Sequence, residues 1–128
     1  MIGYALVGTN DYDAARTFYD GLFGAIGVGR LMEFPNSTAW GAAWDKPALG
    51  VTRPFDGQPA TAGNGTMIAV VLDERAKVDA LYEKAMALGG RDEGPPGVRG
   101  DEGPQAFYAA YFRDLDGNKL CAFRVGPA

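Results

Sequence analysis

The 128-residue sequence contains no histidine. Any zinc, iron or nickel site built from this chain would therefore lack imidazole ligands. Ser–His and Cys–His nucleophile pairs cannot form within the chain. Proton transfer near neutral pH would need a perturbed Asp, Glu, Lys, Tyr or Cys side chain, because histidine is the residue that ordinarily titrates in that range.

Cysteine, long apolar runs and positive charge are also scarce. Cys121 is the single cysteine, so no disulfide can form within the chain, and the composition favours a cytoplasmic protein. No run of about 20 apolar residues is present, and Asn10 and Asp11 interrupt the apolar start, so neither a membrane span nor a signal peptide is predicted. The net charge of −4 argues against non-specific binding to nucleic acid.

The remaining composition is that of a small globular domain, with 47% hydrophobic and 22% charged residues. A single domain over residues 1–128 is expected. Its first half, about 1–53, begins with an apolar run at 3–8 and the helix-capping oxygens of Thr9-Asn10-Asp11. Apolar side chains then follow at the spacing of one helix face: Ala15, Phe18, Tyr19, Leu22 and Phe23. Turn residues separate three predicted strands at about 28–34, 38–44 and 48–53.

The same order recurs in a second half, about 66–126, after the Gly- and Pro-rich connection 54–65. A strand at 66–72 leads to Asp73, a predicted helix cap, and Gly89-Gly90 ends the helix. The apolar face of that helix repeats the first one after 63 residues: Val78, Leu81, Tyr82, Ala85 and Met86. Strands are predicted at about 91–94, 107–113 and 119–125, with a long loop over 95–105. The pattern indicates a duplicated βαβββ module, although two ordinary helices could share this period by chance.

Two βαβββ units in a chain of this length resemble the vicinal oxygen chelate superfamily, which includes glyoxalase I, bleomycin-resistance proteins and extradiol dioxygenases. The segment Asp114-Leu115-Asp116-Gly117-Asn118 is similar to the family's Asp-Pro-Asp-Gly-Asn signature, with leucine in place of proline. Further similarity lies in Gly8–Asp11, Ala15–Asp20, Thr52–Gly57 and Asn64–Thr66. The resemblance implies an α+β fold, in which each module curls a four-stranded sheet and the two modules form an open curved-sheet barrel around a cavity.

Metal-using members of this family place ligands on the first and last strands of each half. The resemblance carries these positions onto Tyr4, Gly50, Met67 and Cys121, where His or Glu is usual. Divalent transition metals in such sites bind imidazole nitrogen and carboxylate oxygen. Glycine has no donor, methionine is a soft thioether, and tyrosine is protonated near neutral pH. We therefore expect no metal site, no cofactor and no assigned catalytic residue.

Alternation along the strands predicts which side chains face the same cavity. The predicted ligand-binding residues are Tyr4, Leu6, Thr52, Met67, Tyr111, Lys119, Cys121 and Phe123. Tyr111 enters this set by resemblance to a substrate-binding tyrosine of the family. The orientation of strand 38–44 stays open, but Trp40 and Trp44 should share one face. Each of these side chains could instead simply fill the core.

These features predict a protein that binds a small organic molecule in an apolar, aromatic cleft without a metal. A metal-independent lyase or isomerase that uses Tyr111, Lys119 or Tyr4 as an acid or base is the alternative. A metal-dependent lyase or dioxygenase is less favoured, and a structural subunit with a filled cavity remains open. Family members of this size usually pair, so a homodimer is expected, with a small-molecule ligand and no nucleic acid or membrane as partner.

Overall fold

The computed structural model describes all 128 residues and contains ten elements in the order βαβββ-βαβββ. The first module comprises β1 (Tyr4–Gly8), α1 (Tyr12–Gly24), β2 (Arg30–Glu33), β3 (Ser37–Trp40) and β4 (Ala48–Thr52). The second comprises β5 (Met67–Val71), α2 (Arg75–Ala87), β6 (Arg91–Arg99), β7 (Phe107–Arg113) and β8 (Lys119–Val125). The repeated module and the α+β fold predicted from the sequence are confirmed. Neither 13-residue helix has the length and apolar character that crossing a membrane requires.

Each module forms its own four-stranded mixed sheet, and neither sheet closes into a barrel. The strand orders are β1-β4-β3-β2 and β5-β8-β7-β6. The first strand of each module pairs in parallel with the last, and the other pairs are antiparallel. Because β1 and β5 each pair on one side only, both modules present an unpaired edge strand.

The helices cover one face of each sheet and share one core. All five predicted apolar residues of α1 are buried, and Tyr19 packs between Phe23 and Trp40 at centroid distances of 5.8 and 5.4 Å. In α2, Val78, Leu81 and Ala85 are buried, whereas Tyr82 and Met86 are only partly buried. A single cluster of 18 buried residues joins both modules. The opposite face of each sheet carries no helix; we call these the first and second helix-free faces.

The two helices begin differently. Asp11 caps α1 as predicted, with its carboxylate accepting a hydrogen bond from the Ala14 amide at 3.1 Å. The predicted cap of α2 at Asp73 is wrong, because the helix starts one residue later and Glu74 occupies the cap position without a side-chain hydrogen bond. Asp73 instead pairs with Lys77, four residues on, at 2.8 Å.

Two strand predictions need correction. The loop predicted over 95–105 is shorter, because β6 continues through Pro95 and Pro96 to Arg99. The prolines are tolerated because β6 is an edge strand with two register shifts. The strand predicted over 38–44 ends at Trp40, whose indole donates to Asp20 on the helix-covered side at 2.9 Å. Trp44 lies in the following turn and is exposed, so the two tryptophans do not share a strand face.

The signature-like segment from Asp114 to Asn118 forms a turn that ties the modules together. One Asp114 carboxylate oxygen accepts from the Asp116 and Asn118 amides, each at 2.9 Å. The second carboxylate oxygen of Asp114 accepts a hydrogen bond from the Tyr19 hydroxyl of α1 at 2.6 Å. The side-chain amide of Asn118 donates to the Gly8 carbonyl at 2.9 Å. This motif therefore acts in folding: it satisfies a buried carboxylate and fixes the second sheet against the first module.

Candidate ligand-binding site

The eight residues predicted to bind a ligand fall on the helix-free faces as two separate groups. In the strand register, Tyr4 and Leu6 stand beside Ala48 and Gly50, and Thr52 lies opposite Gly8 at the end of β4. The second group forms one patch on the other sheet, where register pairs connect Met67, Tyr111, Lys119, Cys121 and Phe123 with their neighbours. Among three cavities of the structure, one contains Tyr4 and Leu6 and another contains Met67, and none contains predicted ligand-binding residues of both sheets. A single chain therefore does not assemble these residues into one cleft.

The first helix-free face is apolar and carries no charged side chain. Tyr4 is 59% exposed and Phe34 is 60% exposed, although both are large and largely apolar. Together with Leu6, Met32 and their neighbours, they line a cavity of only about 80 Å³. Ligand pockets usually enclose several hundred Å³, so this face is a shallow, open surface.

Gly50 allows the strands of the first sheet to approach closely at the position that the family resemblance links to a metal ligand. A Cβ atom at this position would lie 2.6 Å from the Thr38 carbonyl oxygen and 2.8 Å from a Leu6 methyl group. Any side chain at position 50, even a methyl group, therefore requires the neighbouring backbone to shift. Position 50 lacks a donor atom, and it also lacks the space for one.

The second helix-free face centres on the Tyr111 ring. The Arg99 guanidinium carbon and the Lys119 Nζ atom stand over this ring, 5.5 and 5.6 Å from its centroid. Arg99 comes from β6 and Lys119 from β8, on either side of the Tyr111 strand β7. Burial, together with the neighbouring Cys121 thiol, raises the pKa of Tyr111 above its usual value. The tyrosine hydroxyl is thus protonated at neutral pH.

Cys121 lies beneath Tyr111 and is almost inaccessible to solvent, at 1% exposure. Burial raises the pKa of its thiol, although the Tyr111 hydroxyl and the positive charges of Arg99 and Lys119 oppose that shift. A thiol in this environment is a small buried hydrophobe and not an activated nucleophile.

Apolar side chains surround this cationic centre. Phe123 stacks on Phe107 with ring centroids 5.3 Å apart, and Val71 is 70% exposed on β5. Met67 lines a second cavity, of about 550 Å³, which lies between the edge strand β5 and residues of β1 and β4 in the first module. Eleven of the twelve residues lining this cavity are hydrophobic, so its surface is an apolar groove. A third, polar cavity of about 310 Å³ lies between Thr9, Tyr12 and the connection near Gln58.

Sequence reasoning missed three contributors to these faces. Arg99 falls within the loop predicted over 95–105, because the two prolines of β6 obscure the strand that carries it. Met32 and Phe34 belong to the first face, where alternation from a correctly placed β2 would have found them. The sequence does not fix which way Trp40 faces, and its burial against α1 removes it from this face. Thr52 is at the margin, where its hydroxyl oxygen lies 3.1 Å from the Asn36 carbonyl and 2.9 Å from the Arg53 carbonyl, either of which can accept its one hydrogen.

No three His, Cys, Asp or Glu side chains converge where they could hold a metal ion. The four positions linked by resemblance to metal ligands offer a phenol, a thioether, a buried thiol and no side chain at all. These side chains therefore do not fit a divalent transition metal of the kind used by metal-dependent members of the family that the sequence resembles.

Comparison with known proteins matches the fold described above. The family model described as Glyoxalase/Bleomycin resistance protein/Dioxygenase superfamily matches residues 1–122 of this chain. A glyoxalase/bleomycin resistance protein from Albidiferax ferrireducens T118 is 35% identical with a TM-score of 0.86, covering 97% of this chain and 98% of its own. A glyoxalase/bleomycin resistance protein/dioxygenase family enzyme from Burkholderia phytofirmans PsJN is 20% identical with a TM-score of 0.71, covering 96% and 97%. A search of curated proteins found no match.

The chain is therefore a member of the glyoxalase/bleomycin resistance protein/dioxygenase superfamily. A lactoylglutathione lyase from Agrobacterium tumefaciens also shares the fold, at 22% identity and a TM-score of 0.66, covering 97% of this chain and 92% of its own. At that identity the similarity concerns the fold alone, and fold does not specify activity.

Proposed function

We propose that this protein binds a small organic molecule without a metal, in a cleft that forms when two copies pair. The observation that carries the proposal is the pair of helix-free faces, which are apolar and aromatic yet open to solvent. Tyr4 and Phe34 on one face, and Val71 and Met67 on the other, are among the large exposed hydrophobic residues of the chain. Contiguous exposed apolar surface of this kind is typical of interaction and ligand sites.

The need for a second copy follows from the size and placement of the cavities. The cavity on the first face holds about 80 Å³, well below the several hundred Å³ of a typical ligand pocket. The larger groove beside β5, of about 550 Å³, contains only Met67 of the eight predicted residues and neither Tyr4 nor Tyr111. Placing the first face of one copy over the second face of another would enclose both and bury their exposed apolar side chains. A homodimer is thus part of the proposal.

Binding is better supported than catalysis. The pKa values of Tyr111 and Cys121 are both raised by burial, so neither group is a base or a thiolate nucleophile near neutral pH. No carboxylate lies within 4 Å of Lys119 to pair with it. The alternative is a metal-independent lyase or isomerase that uses Tyr111, Lys119 or Tyr4 as an acid or base.

Binding of the neutral, polarity-sensitive dye Nile red to chelator-treated protein tests the proposal, with sedimentation velocity on the same sample. We expect a dimer and saturable binding that adding Mn²⁺, Ni²⁺ or Zn²⁺ does not strengthen. Binding that appears only with one of these metals would contradict metal independence. A monomer that binds the dye in full would contradict the cleft between copies.

Substitutions separate this surface from other apolar positions. Leu6→Glu and, independently, Tyr4→Glu place a charge on the first helix-free face and should weaken both pairing and dye binding about tenfold or more. Phe55→Glu is the matched control, because Phe55 is fully exposed in the connection between modules and should be silent. Circular dichroism of each variant checks that it is folded. Equal effects of all three variants would contradict the assignment of the cleft.

A further inference from the structure

The two helix-free faces differ in charge, and this difference points to the kind of ligand. The first face has no charged side chain, whereas the second has Arg99 and Lys119 over the ring of Tyr111. The chain as a whole carries a net charge of −4. A concentration of positive charge on one apolar surface of an acidic protein therefore needs a specific reason.

Neither cation forms an ion pair within the chain, although Lys119, after Arg113, helps to lower the pKa of Glu93. No carboxylate lies within 4 Å of Arg99 or Lys119, in contrast to Arg113 on the same sheet, which pairs with Glu93 at 2.7 Å. Two like charges that share one aromatic ring repel each other when no anion lies between them. A bound anion would remove that repulsion, and the apolar surroundings would strengthen its attraction to both groups.

Arg99 is held in position by the backbone of its own strand. Its guanidinium donates to the Gly97 carbonyl at 2.9 Å and to the Pro95 carbonyl at 2.8 Å. These bonds leave three of its five N–H donors without a protein acceptor. All three Lys119 donors are free, since Nζ makes no hydrogen bond or ion pair in the structure. A fixed guanidinium beside a flexible ammonium is a suitable arrangement for a carboxylate.

We infer that the ligand is an organic anion whose carboxylate binds Arg99 and Lys119, while its apolar, aromatic body lies against Tyr111 and the uncharged face of the paired copy. This inference rests on the proposed function and narrows it to one chemical class. The alternative role of the two cations is to stabilise Tyr111 alone, through their contacts with its ring. Ligand charge distinguishes these roles.

Three probes of one shape and different charge provide the test: 2-naphthoate, 2-naphthamide and 2-naphthylmethylammonium. Isothermal titration calorimetry of the dimeric wild-type protein should show tightest binding of the carboxylate, by about tenfold over the amide. Raising the ionic strength should weaken naphthoate binding and leave naphthamide binding unchanged. Equal affinities, or tightest binding of the ammonium compound, would overturn the inference while leaving the proposed function intact. Absence of saturable binding by all three would overturn the proposed function itself.

Variants assign the charge preference to this site. Lys119→Gln and Arg99→Gln should each reduce naphthoate affinity about tenfold and leave naphthamide affinity unchanged. Lys46→Gln is the matched control, because Lys46 is an exposed cation in the turn between β3 and β4 and should have no effect. A loss of affinity for both probes in the site variants, or an equal loss in the control, would contradict the assignment.

Discussion

The first module packs its helix through aromatic side chains, whereas the second packs its helix through smaller aliphatic ones. Tyr19 and Tyr82 occupy equivalent positions 63 residues apart, yet only Tyr19 is buried, with its hydroxyl bonded to Asp114. Tyr82 is partly exposed and bonds Asp92 at the surface. The two modules thus share one backbone arrangement, but their helices make different contacts. Helix α1 connects the two modules, whereas α2 covers its own sheet.

The two helix-free faces also differ from each other at equivalent strand positions. Gly50 lies opposite Leu6, and Cys121 lies opposite Ala69, which is the counterpart of Leu6 in the second module. One position leaves no room for a Cβ atom, and the other holds a buried thiol beneath Tyr111. Substitutions at such matched pairs can therefore measure how far the modules have diverged.

The largest effect is expected at Gly50. A methyl group there would meet backbone and side-chain atoms below 3.0 Å, so Gly50→Ala should lower the free energy of unfolding by about 3 kcal/mol. Cys121→Ala removes only one buried sulfur and should cost about 1 kcal/mol. Urea titrations followed by circular dichroism measure both. Equal costs at the two positions would show that the close approach at Gly50 is not a constraint on stability.

Removal of one hydroxyl from each helix gives the next comparison. Tyr19→Phe leaves the buried Asp114 carboxylate with one donor fewer and should cost about 2 kcal/mol. Tyr82→Phe removes a surface hydrogen bond and should cost less than about 0.5 kcal/mol. The same urea titrations decide, and similar costs would contradict the connecting role assigned to Tyr19.

The cost of Tyr19→Phe should also depend on pH. Burial and the adjacent Asp114 raise the pKa of Tyr19 well above its usual value. Above pH 10 the unfolded chain therefore loses this proton while the folded chain keeps it. Wild-type stability should then fall by up to about 1.4 kcal/mol per pH unit from this group, a dependence that the phenylalanine variant lacks. Unfolding measured from pH 8 to 11 should show the difference between the two proteins shrinking; a constant difference would contradict it.

The smallest effect is expected at the helix starts. Asp11→Ala removes a cap that bonds the Ala14 amide and should cost about 1 kcal/mol. Glu74→Ala, 63 residues on, removes no capping bond and should be close to neutral. Differential scanning calorimetry at neutral pH would detect this, and a loss at Glu74 as large as at Asp11 would mean that the cap bond is not the cause.

The sequence predicted features that depend on local pattern. Both helix faces, the order of the elements and the 63-residue repeat follow from apolar spacing, which burial against a sheet enforces residue by residue. The eight predicted site residues lie on the helix-free faces because strand alternation is equally local. Their joint role in one cleft stays a prediction.

Features that depend on distant partners were harder to predict. Nothing local indicates that β6 is an edge strand, and only an edge strand accommodates Pro95 and Pro96. Arg99 was missed for that reason. The sequence pattern allows Trp40 to face either side of its sheet, and the hydrogen bond from its indole to Asp20 on α1 shows which side it faces. The relation between the two faces also lies outside local pattern, since it is set by how the modules, and the copies, pack.

The tight contact between Leu6, Gly50 and the Thr38 carbonyl also limits which side chains a designer could place on the first helix-free face. A carboxylate side chain at position 50 would require both a smaller residue at position 6 and a displacement of the neighbouring strand β3. Installing a coordinating side chain at this position would thus take changes on three neighbouring strands together. A single substitution at Gly50 therefore cannot turn this face into a metal site, because the close contact between β1, β3 and β4 leaves no volume for a ligating group.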